Sequence, residues 1–152
     1  MKKIISILAI AVAMTACNRT NPFLTEWDTP YGIPPFDEIK TSDYIPAIKA
    51  GIEQQNAEIE AIVSNPDTPT FENTIVPLEH SGAILDKVAG VFYNVTETDR
   101  NDALAAVEEE AIPLMSEHSN NMSFNKALYE RIAQVYNADQ SGLTREQQMV
   151  LK

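Results

Sequence analysis

Between Asn65 and Asn94, apolar Ile75, Leu78, Leu85 and Phe92 recur with the small residues Gly82 and Ala89 at steps of three and four. That spacing puts them along one side of a helix. The stripe predicts that this helix is the one the others pack against. Gly82 and Ala89 would admit a neighbour closely, and Leu85, one heptad from both Leu78 and Phe92, is expected to be fully enclosed. A turn-and-cap cluster, Asn65-Pro66-Asp67-Thr68-Pro69-Thr70, precedes the stripe and sets the helix start near Thr70. Pro77 then falls one or two turns in, where a missing N–H and a ring clash predict a kink. A helix beginning at Val76 would accommodate it.

The same periodicity predicts a helix from Ser42 or Asp43 to about Ser64. Its inward face is Ile48, Ile52, Gln55, Ile59 and Ile62, with Glu53, Glu58 and Glu60 outward. Pro46 is tolerable in its first turn. A third helix follows the polar stretch Thr96 to Asn101, where Thr98, Asp99 and Asn101 are cap candidates, with Leu104, Val107, Ala111 and Leu114 inward and Pro113 expected to kink or interrupt it. Ser119 to Asn125 reads as a polar break, and Leu128, Ile132 and Val135 mark a fourth helix ending near Asn137. Thr144-Arg145-Glu146-Gln147 has the form of a capping box opening a fifth. Such a helix should run two or three turns, so the expectation is a chain cut within it at Lys152. No alternating run suggests a sheet, and the fold class is all-α.

The N-terminal end has a different character. Lys2 and Lys3 precede an apolar run, Ile4 to Met14, too short to span a membrane but suited to a signal peptide. Met14-Thr15-Ala16-Cys17 follows and resembles a bacterial lipobox, with Met14 where that pattern prefers Leu. The reading is therefore a leader over 1–16, acylation of Cys17, a lipid-anchored tether and strap over 17–40, and a helical domain over 41–152. Cys17 is the single cysteine, which excludes an internal disulfide. The strap carries Phe23, Trp27, Tyr31 and Phe36 among prolines, and its rings are expected to lie across later helices. The address is the bacterial cell envelope, on the periplasmic or outer-membrane side.

Charge narrows the partners. The whole chain has a formal charge of −11. Without Lys2 and Lys3 the remainder carries −13, which repels nucleic-acid phosphates and is a poor match to anionic lipid. Membrane contact is then expected through the acyl chain alone. His80 and His118 are the only histidines, and neither belongs to a His-Glu-x-x-His pattern. Adjacent helical residues diverge, so Glu79 and His80 do not form a dyad. His118 is expected near a helix C-terminus, where positive charge is favoured. These readings place no catalytic or metal-binding residue in the chain.

Specific segments carry a resemblance. Asn21-Pro22-Phe23-Leu24, Pro35-Phe36-Asp37-Glu38-Ile39 and Asp43-Tyr44-Ile45-Pro46-Ala47 form one group. Glu58-Ile59-Glu60-Ala61-Ile62 leading to Asn65-Pro66, Pro69-Thr70-Phe71-Glu72-Asn73-Thr74-Ile75 and Leu78-Glu79-His80-Ser81-Gly82 follow in order. With Ser116-Glu117-His118-Ser119 and Leu128-Tyr129-Glu130-Arg131-Ile132, they resemble the N-terminal region of peptidyl-dipeptidases of the thimet oligopeptidase and oligopeptidase A family of zinc metallopeptidases. Pro77 departs from it, standing where a helix-favouring residue is more natural.

The resemblance implies a larger, helical, two-lobed enzyme whose channel admits short peptides and releases C-terminal dipeptides. It implies zinc in the full-length enzyme, held by a His-Glu-x-x-His helix and a downstream Glu that this chain lacks. The present helices would form a wall of the channel, inactive alone. The competing reading is a complete small helical lipoprotein that binds a partner or serves a structural role.

Overall fold

The computed structural model describes residues 19–152; the leader and Cys17 lie outside the described residues. Those residues are all-α, with no strand among them. The helices are α1 (Tyr44–Val63), α2 (Val76–Glu79), α3 (Ala83–Thr98), α4 (Asp102–Ser123), α5 (Lys126–Asn137) and α6 (Arg145–Val150). None is long and apolar enough to cross a membrane.

The centre is α1, which packs along α3 and also meets α2, α4 and α5. The stretch expected to organise the chain is instead broken in two. Thr70 caps a five-residue π-helical turn, Phe71–Ile75, through a reciprocal pair: Asn73 N–H donates to Thr70 Oγ1 at 3.1 Å and Thr70 N–H to Asn73 Oδ1 at 2.8 Å. Pro77 then lies in the first turn of α2, where its missing N–H costs little. Ser81 closes that turn, Gly82 takes a left-handed φ of 79°, and α3 begins afresh. The break rotates the inward face of α3 to Val88, Val91 and Phe92, all buried, while Leu85 and Ala89 are only half-buried.

Three apolar clusters result. The largest joins Phe23 and Tyr44 to Ala47 and Ile48 of α1, Val88, Val91 and Phe92 of α3, and Leu104 and Ala111 of α4. Ile59 and Ile62 meet Leu128 of α5, and Phe71 and Ile75 meet Val135. Pro113 does not interrupt α4: it is exposed, so the lost N–H affects only a carbonyl that water can reach. The polar break expected from Ser119 narrows to Phe124 and Asn125, because the helix runs on to Ser123 and Asn125 caps the next through Leu128 N–H. Thr144 and Gln147 form the expected capping box of α6.

The strap divides. Phe23 is buried in a ladder of rings with Tyr44 at 5.3 Å, and Tyr44 meets Phe92 edge-on at 5.3 Å. Trp27 is half-buried, whereas Tyr31 and Phe36, expected to pack, are exposed.

Candidate functional site

Two grooves and the polar links beside them are candidate places for this domain to meet another molecule. The first groove, about 430 Å³, runs between the C-terminal half of α1 and the turn leading into α2. Glu58, Ala61, Ile62, Asn65, Asn73, Pro77 and His80 line it. Both carboxylate oxygens of Glu58 are engaged, one by Gln54 Nε2 at 2.8 Å and the other by the Gly82 N–H at 2.8 Å. His80 is exposed on the rim. The groove therefore offers shape and polarity without a primed acid–base pair.

Behind it lies a polar link that joins three elements. Gln55 Oε1 pairs with His118 Nε2 at 2.7 Å, and Gln55 Nε2 donates to Ser81 Oγ at 3.3 Å. Ser81 Oγ donates in turn to the Leu78 carbonyl at 2.8 Å. An amide oxygen accepts, so His118 carries its proton on Nε2. Burial lowers the His118 pKa from its ordinary 6.5 and keeps the ring neutral. This corrects the expectation of a cation welcomed at a helix end: His118 lies within α4, a full turn before its end, and is buried. Gly82 serves the link as well. A Cβ there would approach Gln55 Nε2 to 2.4 Å, and the positive φ disfavours any side chain.

Arg131 of α5 forms a second link. Its guanidinium donates to the Asn65 carbonyl at 2.6 Å and to that of Asp67 at 3.4 Å, while its buried Nε finds no partner. The cation thus holds the wall of the first groove against α5.

The second groove, about 590 Å³ and mostly apolar, separates the strap from α3. Trp27, Pro34 and Phe36 face Lys87, Val91 and Val95 across it. The Lys87 ammonium sits 4.1 Å from the Trp27 ring centre and donates to the Thr25 carbonyl. Burial lowers its pKa, against an opposing pull from Glu26.

At the start of the described chain, Arg19 grips Asp43 with bonds of 2.8 and 3.0 Å and also reaches the Glu38 carbonyl. Burial alone would raise the Asp43 pKa; the Arg19 bonds and the Lys40 N–H together outweigh it, and the net shift is downward.

Among the described residues, no three His, Cys, Asp or Glu side chains come together as a metal site. His80 is exposed and His118 is committed to Gln55, so these residues do not fit a zinc centre.

The sequence comparison decides the relationship. The chain is 41% identical over 117 residues to dipeptidyl carboxypeptidase of Salmonella typhimurium, covering 77% of this chain and 17% of that protein. It is 39% identical over 127 residues to dipeptidyl carboxypeptidase of Escherichia coli, covering 83% of this chain and 19% of the relative. This chain is a relative of the dipeptidyl carboxypeptidase and oligopeptidase A family. Oligopeptidase A of Salmonella typhimurium matches at 25% over 120 residues, 79% of this chain and 17% of the relative. The chain spans less than a fifth of the length of the relatives it matches, and fits an N-terminal piece of such a peptidase. No family profile matches it.

Gln55 is the one polar residue on the inward stripe of α1, a signal that could have marked this link although periodicity alone takes it only as part of the face. Nothing comparable marked Arg131 or the Arg19–Asp43 pair, whose partners are remote in sequence.

Proposed function

We propose that this chain is a helical wall segment of a zinc peptidyl-dipeptidase that cleaves C-terminal dipeptides from short peptides. Metal and catalytic base would come from polypeptide outside residues 1–152. The observation that carries the reading is the 41% identity to a dipeptidyl carboxypeptidase, extending over 77% of the chain. The polar links described above agree with a supporting role, since one joins α1 to α4 and the other fastens α5 to the loop after α1. On this reading the first groove is open to the channel, where the Asn65 side-chain amide would donate to a peptide backbone, Asn73 being engaged by Thr70 and the Thr68 carbonyl.

Assays of the 152-residue chain and of a product extended by its downstream coding sequence test the activity. A blocked tripeptide should yield a dipeptide only with the extended product, and a chelator should abolish release. Release by the short chain, or none by the extended one, overturns the proposal. A short peptide carrying a photo-reactive group tests the wall role, since it should label this segment in the active enzyme.

The second part of the proposal concerns address. Cys17 would be acylated and hold the protein on the bacterial envelope. Cys17→Ala should leave an unprocessed precursor or release soluble protein. Unchanged membrane retention and unchanged mature mass in that variant would sink it.

A further inference from the structure

We infer that the exposed apolar turn Ile33–Phe36 lies against the lipid surface and fixes the orientation of the domain on it. The inference rests on acylation of Cys17 and departs from the expectation of contact through the acyl chain alone, by naming the face that meets the bilayer. Two peptide bonds separate Cys17 from Arg19, so their Cα atoms are at most roughly 7 Å apart. Arg19 is not free to wander. Its guanidinium is fastened to Asp43 and to the carbonyl of Glu38. A lipid on Cys17 therefore holds the Arg19–Glu38 corner at the membrane, without a long tether that would let the domain tumble.

That corner presents an apolar surface. Phe36 is two residues from Glu38 and 54% exposed, and Ile33 is 51% exposed. Hydrogen bonds from Phe36 N–H to the Pro34 carbonyl and from Glu38 N–H to the Pro35 carbonyl hold the segment in a tight turn. Just before it, Tyr31 has a left-handed φ of 62° and a fully exposed ring. Hydrogen bonds from Gly32 N–H to the Thr29 carbonyl and from Thr29 Oγ1 to the Ile33 carbonyl hold that backbone and leave the ring facing outward. Aromatic and aliphatic groups of this kind suit the boundary between headgroups and acyl chains. Asp37 and Glu38 are exposed beside them, so charge does not drive the contact. The anchor supplies proximity, and the apolar turn sets orientation.

The test uses the full chain, processed in cells and reconstituted in phosphatidylcholine vesicles. Ile33→Cys, Phe36→Cys and, as reference, Tyr129→Cys are labelled with a membrane-impermeant maleimide, Cys17 being blocked by its own lipid. Tyr129 lies on α5, which packs near Ile62, roughly 27 Å along α1 from Tyr44 and the strap. On vesicles, labelling at 33 and 36 should slow about tenfold relative to the same substitutions in a chain begun at Asn18, which has neither leader nor lipid, with no change at 129. Brominated phosphatidylcholine should also quench Trp27, the single tryptophan, in the otherwise unaltered protein, because it shares a groove with Phe36. Mass spectrometry of the same samples separates the two readings. Lipid on Cys17 with unprotected positions and no quenching overturns the orientation alone. Absence of lipid overturns both. Protection that persists in a chain begun at Asn18, which has neither leader nor lipid, also overturns it, in favour of a protein occupant.

Discussion

Gly51 of α1 lies against the backbone of Leu85 in α3. A Cβ at residue 51 would stand 2.9 Å from the Leu85 nitrogen and 3.0 Å from its Cα. The two central helices meet closely here, and backbone atoms cannot swing aside as a side chain can. Gly51→Ala should therefore force the helices apart and cost about 1–3 kcal/mol, despite the better helix propensity of alanine. Gly90, exposed on α3 with nothing within 4 Å of its virtual Cβ, is the control. Gly90→Ala should stabilise by about 0.5–1 kcal/mol. Urea midpoints moving in opposite directions would establish the contact.

The rotation of α3 predicts an order of core losses. Phe92 is fully buried between Tyr44 and Tyr93, so Phe92→Ala should cost about 3–5 kcal/mol. Leu85 is only half-buried, and Leu85→Ala should cost about 1–2 kcal/mol, below the range for an enclosed leucine. The reverse order in denaturant titrations would contradict the break at Gly82.

Acidification should weaken the fold in two separate windows. Neutral His118 has a folded pKa below its ordinary 6.5, so below that pH the unfolded chain binds a proton that the native one does not. Stability falls with pH there until the folded pKa is reached. Asp43 has a folded pKa below its ordinary 3.8, and its contribution is lost as pH drops through that lower value. His118→Gln should flatten stability between pH 7 and pH 5 and leave the lower window in place. Thermal melts across that range read the difference.

Arg131 should prove unexpectedly costly to remove. Arg131→Ala leaves the Asn65 carbonyl without its donor, and a loss of about 1–3 kcal/mol is expected. Arg131→Lys should recover little, since an ammonium cannot reach acceptors on both sides of the Asn65–Asp67 turn. Arg145→Ala on exposed α6 should stay within about 0.5 kcal/mol of the parent. Equal unfolding midpoints for the three would remove Arg131 from the account.

The sequence by itself determined the all-α class, the span of α1, the capping box at Thr144, and the inward faces of α1 and α5. These follow from near neighbours on the chain: apolar spacing, a side-chain oxygen three residues before a free N–H, a proline confined to a first turn. The segment resemblances also lay in the sequence, because they depend on residue order alone. Only the tertiary structure decided which helix is central, that Leu85 is half-exposed while Val88 is buried, and that His118 is neutral. Each of those depends on a contact between residues remote along the chain, Gly51 with Leu85 or Gln55 with His118. The stripe through Gly82 assumed one continuous helical phase. A glycine at φ 79°, fitted against Gln55, resets that phase, and periodicity cannot register a turn whose reason lies on another helix.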